Sequence, residues 1–190
     1  MIYNLPFAMR ILVCLVCLLG FANIYAQDNP GIEDDAAIIT TDSSSLQPVI
    51  SKIDSFYEKY TINLKACDNP KLYNEIFRWY RTCYRYGGNS SKGIDCSHFV
   101  NMLYEKIYGK KLNNSAASIY TQCKVVKGGK DEYAEGDLLF FKIKHKRISH
   151  IGIYLQHGKF AHATTQAGVI ISDLSEAYYK RRFFKAGRVE

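Results

Sequence analysis

Cys96 stands in the run Gly93-Ile94-Asp95-Cys96-Ser97-His98-Phe99-Val100, and apolar residues then recur at Phe99, Leu103 and Ile107. That spacing marks one face of a helix opening near Asp95, with Gly109 as its stop. A thiol at a helix's first residue meets unpaired backbone N–H groups and the positive end of the helix dipole, both of which favour the thiolate. Asp95, just before it, is suited to cap the helix, and the same N–H groups could hold an oxyanion. A nucleophilic thiol needs a base within reach, and the base needs a third group to fix its tautomer. His150 in S-H-I-G-I-Y-L and His162 in K-F-A-H-A each interrupt an apolar strand pattern. The turn signal His157-Gly158 between them predicts a hairpin that sets the two histidines side by side. Each feature alone has an ordinary reading, an inert buried cysteine or a satisfied core histidine. Together they form a Cys–His–polar set.

The elements that must position these residues are legible in part. Helices are expected over residues 49–60, 71–83 (after Pro70), from about 95 to 109, and 115–122. Strands follow over 137–143, 150–155, 159–163 and 169–171, then a helical turn over 174–179 and a last strand over 183–189. Helices first and short-looped strands afterwards predict an α+β domain with an antiparallel sheet.

Residues 1–26 read as a secretory leader, with one basic residue, a short apolar run from Ile11 and a small residue, Ala26, before the cut. Cys14 and Cys17 follow valines inside that run and read as hydrophobes rather than lipid-bearing residues. Residues 27–48 are acidic and rich in Ser, Thr and Asp, the composition of a flexible linker. Residues 49–75 form a helical extension, and 76–190 the main domain. No membrane span is expected once the leader is removed. Charge is uneven: seven acids and two lysines lie in residues 27–60, against 22 bases and 11 acids in 61–190. A basic body suits an anionic polymer, and for an exported chain wall material fits better than nucleic acid. Among the cysteines left after Cys96, the simplest bridge is Cys67 with Cys83. No spacing forms a zinc knuckle.

Several motifs occur in order: Tyr84-Arg85-Tyr86-Gly87-Gly88, Gly93-Ile94-Asp95-Cys96-Ser97, Gly136-Asp137-Leu138-Leu139-Phe140-Phe141, Ser149-His150-Ile151-Gly152-Ile153-Tyr154-Leu155 and Phe160-Ala161-His162-Ala163. With the closing stretch from Gly168 to Phe183, they make residues 76–189 resemble the NlpC-type cell-wall peptidases. The resemblance implies a papain-like α+β fold and hydrolysis of peptidoglycan stem peptides through an acyl-enzyme, with no metal or organic cofactor, by a monomer acting in the periplasm or cell envelope. It implies Cys96 as nucleophile, His150 as base, His162 as the orienting third member and Tyr84 with its hydroxyl facing the thiol. Asp95, Ser97, His98 and Ser149 are the expected substrate contacts. Two departures stand out. His98 replaces a small residue, and either narrows the cleft or lies along the helix surface. Leu112-Asn113-Asn114-Ser115 replaces a commoner Pro-Arg pair. A wall-binding module without turnover, and an amidase or transpeptidase on the same fold, are the alternative readings. His145 and His157 are expected to be exposed, and Lys142, Lys144, Lys146 and Arg147 to form a solvated basic run.

Overall fold

The computed structural model describes residues 47–143 and 146–190. The expected leader, the linker up to residue 46, and Lys144 with His145 lie outside the described residues.

Helix α1 (Gln47–Glu58) opens two residues earlier than its apolar spacing suggested, taking Pro48 into its first turn. A 3-10 turn at Leu64–Ala66 follows, then α2 (Pro70–Trp79), capped by the Asn69 side chain on Leu72 N. α2 ends four residues short of the expected 83. Tyr80 turns out of helical geometry, Arg81 adopts φ 68°, and its N–H bonds Val169 O at 2.8 Å instead of continuing the helix. A two-residue hairpin, β1 (Asn89–Ser90) with β2 (Gly93–Ile94), precedes α3 (Cys96–Tyr108). α3 is bounded as expected, with Asp95 at its N-cap and Gly109 left-handed at its end. α4 (Ala116–Tyr120) carries a Ser115–Ser118 capping box.

Six antiparallel strands follow: β3 (Cys123–Val126), β4 (Leu138–Phe141), β5 (His150–Tyr154), β6 (Lys159–Thr164), β7 (Gly168–Asp173) and β8 (Phe183–Val189). They lie in the order β3-β8-β4-β5-β6-β7. The fold is therefore the expected α+β class, helices first and an antiparallel sheet after. The strand β3 was not foreseen. Helix α5 (Ala177–Arg182) starts later than the expected turn at 174, because Asp173 and Glu176 hold a tight turn there. Asp173 Oδ1 accepts from Ser175 N and Glu176 Oε1 from Asp173 N, each at 2.7 Å. The expected Cys67–Cys83 bridge is not formed: Cys67 packs against the core, whereas Cys83 is exposed.

The central strands β4, β5 and β6 are buried on both faces. Ile151, Ile153, Leu155, Ala161 and Ala163 join Phe99, Val100 and Leu103 of α3 in the larger core. Tyr154 and Phe160 belong with Leu139, Phe141 and Tyr179 in a smaller core on the other face. β4 serves both, which is why its sequence is an unbroken apolar run. Glu135 ties α2 and the turn before it to the sheet, accepting from Asp68 N, Tyr73 Oη and Gln156 Nε2 at 2.9, 2.8 and 2.7 Å. Buried Asp137 receives Arg188 through two bonds, of 2.7 and 2.8 Å, a bidentate geometry that fixes β8 beside β4. Among the described residues no helix is long and apolar enough to cross a membrane.

Gly168 opens β7 at φ 68°, and a Cβ there would lie 2.1 Å from Thr82 O. Gly168→Ala is expected to destabilise the fold by about 3 kcal/mol or more, from the left-handed backbone and the clash combined. A urea midpoint unchanged from wild type would contradict this close approach.

Candidate active site

α3 delivers Cys96 to the beginning of β5. Asp95 Oδ1 accepts from His98 N at 2.9 Å and Asp95 O from Phe99 N at 2.9 Å. The cap thus satisfies the third and fourth N–H groups of the helix and leaves those of Cys96 and Ser97 for the sulfur. Three backbone N–H groups serve the sulfur, those of Ile151, Ser97 and Cys96 itself. Ile151 directly follows His150, so the thiol sits against the strand that bears the expected base.

The expected ease of ionisation at Cys96 is not found. Burial, followed by the Asp95 charge, pushes the thiol up to about 11, and the three N–H groups offset only part of this. A helix start favours the anion only if the site remains hydrated or lacks a neighbouring negative charge; here both conditions fail.

His150 and His162 meet, though not as direct cross-strand neighbours. β5 and β6 pair Ile153 with Ala161 and Tyr154 with Phe160. Carried one residue further, that register sets Gly152 opposite His162, with His150 on the diagonal and on the same face. His150 Nε2 lies 2.7 Å from His162 Nδ1, and His162 Nε2 lies 3.1 Å from Ser172 Oγ on β7. The rings are walled by aromatics, Phe141 beside His150 and Phe160 and Tyr179 beside His162.

Two residues of this arrangement were missed by sequence reasoning. Ser172 carries no local signal as a serine within a strand. Gly152 could have been noticed as a glycine inside an apolar strand, which marks a close approach. A Cβ on it would lie 2.7 Å from Phe160 Cδ2 and 3.2 Å from His162 Cβ. Its absence is what allows the His162 ring to lean across to His150.

Both histidines are held neutral. Burial lowers His150 from 6.5 to about 4. Burial and then the neighbouring His150 charge hold His162 well below its ordinary value. The unfolded chain therefore binds more protons than the folded one between pH 6.5 and about 4. The stabilisation is complete above that window and is lost as pH falls through it. Urea unfolding at a series of pH values is expected to show the midpoint declining steadily from pH 6.5 to 4. A flat midpoint would place these histidines in water.

The remaining expected residues are placed as follows. Tyr84 bridges to Ile94 beside the site, and its phenol is pushed up to about 12 by burial and then by the charges of Cys96 and Asp95. Asp95 Oδ2 accepts from Gly87 N at 2.9 Å, pinning the loop that carries Tyr84. Burial alone would raise the Asp95 carboxyl, but bonds from His98 and Ser97 bring it below its ordinary value. Ser97 Oγ lies 2.8 Å from Asp95 Oδ1 and 3.1 Å from Asn114 O, and its single proton can serve one at a time. His98 Nδ1 lies 3.0 Å from Asp95 Oδ2, close enough for an ion pair when protonated but without the alignment of a hydrogen bond. Ser149 Oγ accepts from Ile143 N at 3.0 Å in the turn before β5. The Leu112–Ser115 departure is built into the fold, with buried Asn101 bonding both the N–H and the carbonyl of Leu112. His157 is exposed, as expected.

Residues 81–188 match the NlpC/P60 family. The chain is 36% identical over 118 residues to the "Probable endopeptidase NlpC homolog" of Haemophilus influenzae, covering 62% of this chain and 60% of that protein. It is 32% identical over 152 residues to the "Murein DD-endopeptidase MepS/Murein LD-carboxypeptidase" of Escherichia coli K12, covering 80% of this chain and 76% of that protein. Among solved structures, the NlpC/p60 domain of the peptidoglycan hydrolase SagA shares the fold with a TM-score of 0.53, at 21% identity over 62% of this chain and 95% of that one.

Proposed function

The chain belongs to the NlpC/P60 family, and on that premise we propose that it is an exported cysteine endopeptidase that hydrolyses peptidoglycan stem peptides, with Cys96 as nucleophile, His150 as base and His162 as its orienting partner. The observation that carries this reading is the 2.7 Å contact from His150 Nε2 to His162 Nδ1. It occupies one nitrogen of the base and leaves Nδ1 as the nitrogen available to the thiol. The names of the Haemophilus and Escherichia relatives support the choice of substrate. The basic charge of residues 61–190 suits an anionic wall polymer.

With the thiol up near 11 and His150 down near 4, the resting pair is neutral rather than a thiolate and an imidazolium. The sulfur attacks the scissile carbonyl carbon, and its proton passes to His150 Nδ1 as the C–S bond forms. The carbonyl electrons move to oxygen, where the N–H groups at the start of α3 can receive them. His150 Nε2–H donates to His162 Nδ1 throughout, which steadies the transient cation. An imidazolium that buried surroundings disfavour gives up its proton readily, and the leaving amine takes it as the C–N bond breaks. Water then attacks the thioester, losing a proton to His150. The C–S bond breaks, and the sulfur regains its proton. The protein acts as a monomer in the cell envelope, and no step requires a metal or an organic cofactor.

The test is digestion of purified peptidoglycan by the chain from Gln27 onward, with products identified by mass spectrometry. New fragments cut within the stem, carrying the mass of one added water, support the peptidase and name the bond. Joined stems would indicate transpeptidation, and intact wall with bound protein would indicate a binding module; either overturns the reading.

A further inference from the structure

Beyond the three residues of the proposed machinery, the polar line continues into β7. Ser172 is buried, its Oγ 3.1 Å from His162 Nε2. The β6–β7 register pairs Phe160 with Ser172 and His162 with Ile170, so Ser172 meets His162 on the diagonal of one face. A further hydrogen bond joins Ser172 to the hydroxyl of Tyr179 on α5. The line therefore runs His150, His162, Ser172, Tyr179, with each neutral imidazole offering one donor and one acceptor.

Only one order of protons in this line suits a base at His150 Nδ1. That nitrogen must be bare, so the His150 proton sits on Nε2 and points at His162 Nδ1. His162 must then carry its proton on Nε2 and needs an acceptor there. The nearby Ser172 oxygen supplies one, while the Ser172 proton is donated onward to Tyr179. The opposite order, with Ser172 donating to His162, leaves a proton on His150 Nδ1, the nitrogen that the proposed base needs bare. Once His150 is protonated, both its nitrogens carry hydrogen and only the first order remains possible.

We propose that Ser172 is a positioning residue that sets the tautomer of His162, and through it that of His150, so that His150 presents a bare Nδ1 to Cys96. The role rests on the reading of Cys96 and His150 as nucleophile and base. Ser172 touches no reacting atom; it acts two bonds away, as the acceptor for His162 Nε2–H.

The test compares Ser172→Thr with Ser172→Val, which match in shape and differ in the hydroxyl, with Ser172→Ala as a third variant should the branched side chains fail to fold. Thr is expected to keep activity within about threefold of wild type. Val and Ala are expected to lower kcat roughly tenfold to hundredfold with KM unchanged. Nitrogen NMR of the imidazoles at neutral pH provides a readout independent of turnover. Wild type and Thr are expected to show the Nε2–H tautomer at both His150 and His162, and Val and Ala to show Nδ1–H at both. Equal kcat in Thr and Val, or unchanged tautomers in Val and Ala, overturns the role. If wild type cleaves no stem peptide yet shows the tautomer shift, the positioning role stands and the peptidase reading falls.

Discussion

Cys96→Ala is expected to lower stem-peptide cleavage by roughly 10⁴-fold or more, with the fold intact. Cys96 is the group proposed to form the acyl intermediate, so the loss should fall on kcat and leave wall binding in place. Cys96 is nearly buried, and removing one sulfur atom there should cost about 1 kcal/mol of stability. The decisive comparison is fragment release measured beside the thermal midpoint. A variant retaining a tenth of wild-type turnover would move the nucleophile elsewhere, whereas one that has lost its thermal transition would say nothing about chemistry. Cys96→Ser should be nearly as inactive, since a hydroxyl facing the same burial and the same Asp95 charge is harder to ionise than the thiol.

The second large effect is expected at a residue with no side chain. Gly152→Ala places a methyl where Phe160 Cδ2 would be 2.7 Å away, Ala161 O 3.0 Å and His162 Cβ 3.2 Å. The Phe160 ring and the β6 backbone are themselves buried, so relief must come from shifting β6 or tilting His162. Either lengthens the 2.7 Å contact between the histidines. A hydrogen bond weakens steeply with such displacement, and a base that loses its orienting partner loses most of its effect. kcat/KM is expected to fall about 100-fold, with a stability loss of about 1–3 kcal/mol. Steady-state kinetics at a temperature well below the unfolding transition separates the two. Activity within a factor of three of wild type would show that the close packing at Gly152 does not hold the pair in place.

The residues that could be read from the sequence are those whose signal is local. Asp95 before an apolar period of four, and Gly109 after it, bound α3 because caps act within one turn. Short apolar runs between glycine turns located β4 to β7 within a few residues, and two histidines on apolar strands were visible as exceptions to a pattern. What was not legible depends on partners far along the chain. Cys123–Val126 is a strand because β8 lies beside it, and its four residues carry little alternation of their own. Helix α2 stops at Trp79 because Arg81 is taken by Val169, almost ninety residues away. Ser172 matters through a diagonal between two strands. The thiol illustrates the limit most directly: the helix start that should favour its ionisation is visible in the sequence, while the burial that outweighs it is visible only in the fold.

The raised thiol also bears on how such an enzyme would survive where we propose it works. Peroxides and disulfides attack thiolates, not thiols, and an unprotected nucleophile outside the reducing cytoplasm is soon converted to a sulfenic acid or a mixed disulfide. Cys96, held protonated at neutral pH, presents almost no thiolate while the site is idle. On the proposed mechanism it becomes nucleophilic only as its proton leaves for His150 with a carbonyl already in place. In the oxidising compartment proposed for it, the burial that makes the resting sulfur a poor nucleophile is expected to lengthen the working life of the enzyme.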